Sequence, residues 1–252
     1  MTDTFNPSPA IDAAEPAPLP APPRPSQWAT WAELLLCSGY PTQIVIGSAL
    51  VAAGMSPGES VETLSPAFVF ALSLLDTLVL LTLIVTLLVR RGERPMEVFF
   101  GGRPALGEVA FGVMSVPFVF TVVITLMVGI MRLVPDLHNV PKNPLETFLG
   151  TPVGVWMFLF LAIVAGGVRE ELQRAFLLHR FRHDLGQPWM GLLLASIAFG
   201  LGHTMQGNDA AIITGVLGAI WGAIYLIRGS ALASMVSHSL FNSAELLRIF
   251  LR

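Results

Sequence analysis

The stretch from Pro66 to Val89 holds one ionisable side chain, Asp76, and is otherwise a near-continuous apolar run that stops at Arg90-Arg91-Gly92-Glu93-Arg94-Pro95. About 20 such residues let a helix cross the hydrocarbon core of a bilayer, where only helices and closed barrels satisfy their own backbone groups. Long apolar segments with short polar punctuation recur along the chain. With 12% charged and 54% hydrophobic residues, the composition lies far from the roughly 25% charged residues of soluble domains. The mean hydropathy of +0.70 points the same way. The expected fold class is all-α, a multi-pass transmembrane helical bundle of about seven spans.

Those spans run from Trp31 to Met55 with a kink at Pro41, Pro66 to Val89, Gly107 to Leu133, Pro152 to Phe181, Pro188 to Met205, Asp209 to Ile227, and Ala231 to Leu251. Before them, residues 1–27 are rich in proline and alanine and lack apolar surface to bury, which predicts a disordered cytosolic tail. The tail lacks the basic start and apolar core of a secretory signal, so the first span acts as the uncleaved entry signal. Arg90, Arg91, Arg94 and Arg103 follow the second span, Arg180 and Arg182 end the fourth, and Arg228 ends the sixth. Basic loops stay cytosolic, so these turns and the amino terminus are expected on the cytosolic side of the cell membrane. Arg248 and Arg252 run against that rule at the outer end. The segment Met96 to Leu106 is read as lying along the cytosolic interface.

A net charge of -3 gives no reason to expect nucleic acid as a partner. The lone cysteine, Cys37, forms no intramolecular disulfide and is read as a small apolar residue. Asp76 is expected to make a structural hydrogen bond, and His179 and His183 to sit on a solvated helix end.

Three polar fragments interrupt apolar segments: Gly166-Gly167-Val168-Arg169-Glu170-Glu171-Leu172-Gln173-Arg174, Phe199-Gly200-Leu201-Gly202-His203, and His238-Ser239-Leu240-Phe241-Asn242. Ionisable groups are costly in hydrocarbon and mark a site by default. At about 1.5 Å of rise per residue, Glu170 lies roughly 20 Å from Arg182, His203 roughly 22 Å from Pro188, and His238 and Asn242 about 14 and about 20 Å from Gly229. Their similar depth argues for one shared site. Glu170 and Arg174, Phe199 and His203, and His238 and Asn242 are each four residues apart, which places each pair on one helix face. Glycine, alanine and serine beside them allow close backbone approach.

A carboxylate, two imidazoles, a carboxamide and a guanidinium suffice for hydrolysis by water: the carboxylate as general base, a histidine sharing the proton, other donors holding the oxyanion. No serine, cysteine or threonine sits in a nucleophile motif. Two histidines and a glutamate could also ligate zinc, but the His-Glu-x-x-His helix of zinc proteases is absent, so no cofactor is expected. The fragments resemble the motifs of the CPBP family of intramembrane proteases, which includes type II CAAX prenyl endopeptidases and bacteriocin-processing or self-immunity proteins. That family carries Glu-Glu-x-x-x-Arg, Phe-x-x-x-His and His-x-x-x-Asn on separate membrane helices.

The resemblance implies one membrane protease domain over residues 28–252, with motifs within 170–242 and a membrane-embedded or lipidated peptide as substrate. It implies catalysis by a glutamate base, with His203 sharing the proton and His238 with Asn242 holding the oxyanion; of the two glutamates, Glu170 is taken as the base with Glu171 assisting, because Glu170 shares a helix face with the orienting Arg174. The first motif departs from the pattern, since two residues and not three separate Glu171 from Arg174. With the arginine in register, Arg169 takes the family's first glutamate position and Glu170 its second; with the two glutamates matched to the family's pair, the arginine comes one residue early, about 100° around the helix, and both registers stay open. A non-proteolytic scaffold or immunity-type member of the same family, and a proton-coupled transporter, are the competing readings.

Overall fold

A computed structural model of the protein describes residues 26–59, 63–141 and 144–251. The expected tail over residues 1–27 lies outside the described residues, except for Ser26 and Gln27. Ser26 caps α1 (Gln27–Leu36), its side chain accepting from Ala29 N at 3.3 Å.

Among the described residues the fold is helical, without strands. Between α1 and α2 (Tyr40–Ala52) the chain breaks at Gly39, whose φ of 91° carries no penalty only in glycine, and the two axes bend by 44°. The kink expected at Pro41 is thus a full break just before it, with the proline in the first turn of α2, where its missing N–H costs nothing. Four further elements follow: α3 (Pro66–Arg90), the short α4 (Pro95–Phe100), α5 (Ala105–Leu133) and α6 (Pro152–Leu161). Thr151 caps α6 by accepting from Gly154 N at 3.1 Å. The rod then widens into a π-helical turn over Ala162–Arg169 and continues as α7 (Glu170–His183). Three more helices, α8 (Pro188–Leu201), α9 (Asn208–Arg228) and α10 (Leu232–Phe250), complete the bundle.

By length and hydropathy, α3, α5, the rod from Pro152 to His183 and α9 can each cross a membrane, and the bent α1–α2 pair makes a fifth. The other two expected segments are both helices. Of these, α8 has 14 residues, about 21 Å of rise against a hydrocarbon core of about 30 Å. Its neighbour α10 has 19 residues, but buried Ser234, Ser237 and His238 lower its hydropathy.

Close packing sets the positions of these helices. Where α8 meets α9, a Cβ on Gly200 would stand 2.6 Å from Ala211 O and 3.2 Å from Gly215 Cα. Where α5 meets α10, a Cβ on Gly112 would stand 2.6 Å from Ala233 O. These glycines bring the backbones almost into contact.

The arginine-bearing turns gather at one end of the bundle, together with α1. Arg180, fully buried, donates from Nε to Glu33 at 2.8 Å and from Nη1 to Glu93 at 2.6 Å. Arg91 donates to Glu33 at 2.9 Å and to Asp184 at 2.7 Å, and Thr30 also donates to Asp184, at 3.0 Å. At the same end α4 buries Val98 and Phe99, and its carbonyls accept from Tyr225 Oη at 2.9 Å and Ala231 N at 2.7 Å. His179 and His183 meet there as tilted rings, with centroids 4.5 Å apart and planes at 40°, and His179 also meets Glu93 at 2.8 Å.

Burial pushes the Glu93 carboxyl up, but hydrogen bonds from His179 and Arg180 outweigh it and hold the group down to about 2, from an ordinary 4.5. The folded value is the lower one, so this stabilisation is complete above about 4.5 and is lost as pH falls through about 2. Thermal melts between pH 5 and pH 2 are therefore expected to show a steeper loss of stability in the wild type than in a Glu93→Gln variant. Equal slopes would remove Glu93 from the acid response.

Candidate active site

The π turn sets where α10 can lie. Gly166 and Gly167 leave its inner face without side chains: a Cβ on Gly167 would stand 1.8 Å from Ser239 Oγ and one on Gly166 2.7 Å from Asn242 Nδ2. Only this approach brings His238, on α10, into reach of the glutamates. Gly167→Ala is expected to push α10 away and to cost about 1–3 kcal/mol by overpacking. Gly129, whose Cβ would meet nothing within 4 Å, is the control, since alanine in an open helical position stabilises by about 0.5–1 kcal/mol. Thermal melts of the two variants should move in opposite directions.

Glu171 is 1% exposed and carries most of the contacts. Its Oε1 accepts from Arg174 Nη1 and lies 2.8 Å from His238 Nδ1. Its Oε2 has no hydrogen-bond partner among the described residues. A carboxylate at Nδ1 fixes the imidazole's tautomer and leaves Nε2 for other work. That Nε2 lies 3.9 Å from Glu170 Oε2. Trp221, from α9, stacks on the His238 ring with centroids 3.8 Å apart and planes 15° from parallel.

Glu170 points the other way, onto the wall of a cavity of about 210 Å³ that it shares with Arg169, Arg174, His203, Tyr40 and Gln43. His203 sits in the turn after α8, which ends at Leu201; Gly202 keeps helical dihedrals and the chain leaves them at His203 itself, with φ -107° and ψ 7°. Its Nδ1 donates to Phe199 O at 2.8 Å, and the two rings meet edge-on at 4.8 Å. Its Nε2 is the nitrogen left for a ligand.

Spacing pairs Arg174 with Glu170, four residues before it; the structure pairs it with Glu171, three before. Both Glu170 and Arg174 reach the cavity, but Arg174 turns back, its guanidinium carbon 4.5 Å over the Phe199 ring, to the carboxylate buried beside α10. Asn242 is one turn beyond His238, with Nδ2 3.5 Å from Ala162 O, and does not line the cavity.

Sequence reasoning assigned no role in the site to Arg169, Gln173 or Trp221. Asp76, from α3, is fully buried and takes the structural role expected of it by accepting from Arg169 Nη2, Thr42 Oγ1 and Gln43 Nε2. Gln173 accepts from Arg169 Nη1 at 3.2 Å and donates to Cys37 O at 2.9 Å. Half of the signal for the first pair was present: Asp76 is the one ionisable residue of its apolar run, whereas Arg169 lies in a cluster with Glu170, Glu171 and Arg174 that does not say which charge it meets. No group of three or more His, Cys, Asp or Glu side chains among the described residues is disposed to hold a metal ion.

Residues 151–244 match the family model described as type II CAAX prenyl endopeptidase, Rce1-like. This stretch carries an Rce1-like domain. It covers less than half of the chain, from the cap of α6 into α10, and contains Glu170, Glu171, Arg174, His203, His238 and Asn242. The Rce1-like domain comes from a family of peptide hydrolases, and its helices are part of an integral membrane bundle. No curated protein and no solved structure matches the chain. The cavity wall formed by Tyr40 and Gln43, and the Asp76 anchor, come from helices before the Rce1-like domain.

Proposed function

We propose that the protein is an intramembrane endopeptidase in which Glu170 acts as general base on a water molecule. The observation that carries this reading is the shared cavity, lined by Glu170, His203 and Arg174, with the Glu171 and His238 that contact Arg174 and Glu170 behind it. The water oxygen attacks the scissile carbonyl carbon. One of its protons passes to Glu170 and then to the amine nitrogen as the peptide bond breaks, leaving a carboxylic acid and an amine, which exchange the second proton to give carboxylate and ammonium. His203, with Nε2 free of intramolecular bonds to its own helix, shares the proton. His238 stabilises the oxyanion by donation from Nε2 in its doubly protonated form, since Nδ1–H is given to Glu171, and Asn242 turns from Ala162 O to act as a further donor. Glu171 assists by fixing His238, and Arg174 orients Glu171. No metal or other cofactor takes part.

The substrate is a membrane-associated or lipid-modified peptide, and the description of the matched family favours a prenylated one. The end of the bundle that gathers Arg91, Arg180 and the start of α1 faces the cytosol, following the bias of basic loops.

Purified protein in liposomes, offered a mixed library of membrane and lipid-modified peptides, is expected to yield cleavage products by mass spectrometry with and without a strong chelator. Loss of cleavage with chelator would make the site a metalloprotease. No cleavage of any peptide would favour a proton-coupled transporter, read by Glu170-dependent proton flux, or a scaffold or immunity role, read by a phenotype that survives loss of Glu170, His203 and His238.

A further inference from the structure

Arg169 sits beside the proposed base without belonging to the motif roles. It is 7% exposed, lines the cavity, and places Nη1 3.9 Å from Glu170 Oε1. Its charge is anchored away from Glu170: Nη2 is held by Asp76 on α3, which Thr42 and Gln43 on α2 hold in turn, and Nη1 donates to Gln173. On the opposite side, His238 Nε2 lies 3.9 Å from Glu170 Oε2. Each oxygen of the Glu170 carboxylate thus faces one nitrogen group at a distance too long for a direct hydrogen bond, which fixes its direction without consuming its lone pairs. Arg174 also shares the cavity but is turned to Glu171.

We propose that Arg169, moored by Asp76, is a positioning residue that aims the Glu170 carboxylate at the cavity. Asp76 determines whether the guanidinium aims Glu170 or captures it. Moored, the guanidinium stays 3.9 Å away, outside hydrogen-bond reach. Unmoored, it is free to close onto Glu170 as a fork of parallel hydrogen bonds and take up the lone pairs the reaction needs. The inference rests on Glu170 being the base, and it makes α2 and α3, outside the matched domain, part of the catalytic geometry.

The test uses the full chain in nanodiscs with a fluorogenic farnesylated peptide, reading kcat, KM and thermal midpoint for each variant. An apolar pair of similar volume can replace a buried ion pair without loss of folding, so Arg169→Met with Asp76→Leu is the first variant. It is expected to melt near the wild type, lose kcat by about tenfold or more, and keep KM within about twofold, because a misaimed catalytic group costs rate and not binding. Asp76→Asn, which keeps the shape of the anchor, is expected to lose kcat at least as strongly, and adding Arg169→Met to it should restore part of that loss. A folded double variant with wild-type kcat overturns the proposal, as does an Asp76→Asn variant of unchanged kcat or a loss that falls wholly on KM. Glu170→Gln separates the two levels: if it still cleaves, the base assignment fails and this inference with it. If it is inactive while both Asp76 variants keep their kcat, the role of Arg169 alone is removed.

Discussion

Glu170→Gln is expected to lower kcat by about a thousandfold while leaving the fold and KM nearly unchanged. The substitution is close to isosteric and the side chain is 20% exposed on a cavity wall, so packing has little to lose. An amide cannot accept the water proton, and general base catalysis contributes typically about 10²–10⁴ in rate. Arg169 and His238 each lie 3.9 Å from the carboxylate and make no direct hydrogen bond to it that the amide would break. Glu171→Gln disturbs a different set of contacts, the bonds to Arg174 and His238, so both kcat and the thermal midpoint should fall. Stability separates the two glutamates: a base costs rate alone, an orienting carboxylate costs both. Wild-type kcat in Glu170→Gln would move the base to another residue.

Arg174→Ala is expected to be the most destabilising single change in the site. Glu171 would then keep a buried carboxylate whose remaining partner is His238, with Oε2 already lacking one. Removing one member of a buried pair costs about 3–5 kcal/mol, because the other charge is left in a poorly polarisable interior. For a chain of this size that lowers the thermal midpoint by roughly 10 °C. The loss of packing against Phe199 adds to it, since Arg174 lies over that ring. Changing Glu171 to Gln in the same chain should recover part of the midpoint, since no buried charge remains. A double variant no more stable than Arg174→Ala would mean that packing, and not the orphaned charge, carries the effect.

Residue pattern and helical spacing were enough to read the seven helical segments, because the hydropathy of runs such as Pro66 to Val89 leaves no other way to satisfy a backbone in hydrocarbon. The arginine-rich turns were legible as lying on one side for the same reason. Less legible was the break at Gly39, which depends on a single backbone conformation, and the π turn before Glu170, which depends on how closely α10 approaches. At the site, spacing placed Phe199 against His203 correctly but paired Arg174 with the wrong glutamate. Residues three and four apart on a helix are both neighbours, and the choice between them was made by α10, which no local pattern describes. Asp76 was visible as an isolated charge and Arg169 as one of a cluster, yet their pairing is a tertiary fact, set by the crossing of α3 with the rod.

The contacts that hold α1 and α2 in place have a consequence for how the chain is made. Glu33 meets Arg91 58 residues later, Asp76 meets Arg169 93 residues later, and Thr30 meets Asp184 154 residues later. A ribosome delivers these partners in that order. The nascent chain can therefore tether α1 to the end of α3 early, while Asp76 enters the bilayer with its counter-charge still unsynthesised. Until residues 169–184 are inserted, one side of the future cavity exists as a half-built wall, carrying a solitary acid in hydrocarbon. α1 and α2 are thus tethered early but locked late, and arrival of residues 169–184 completes both the candidate site and the docking of these two helices.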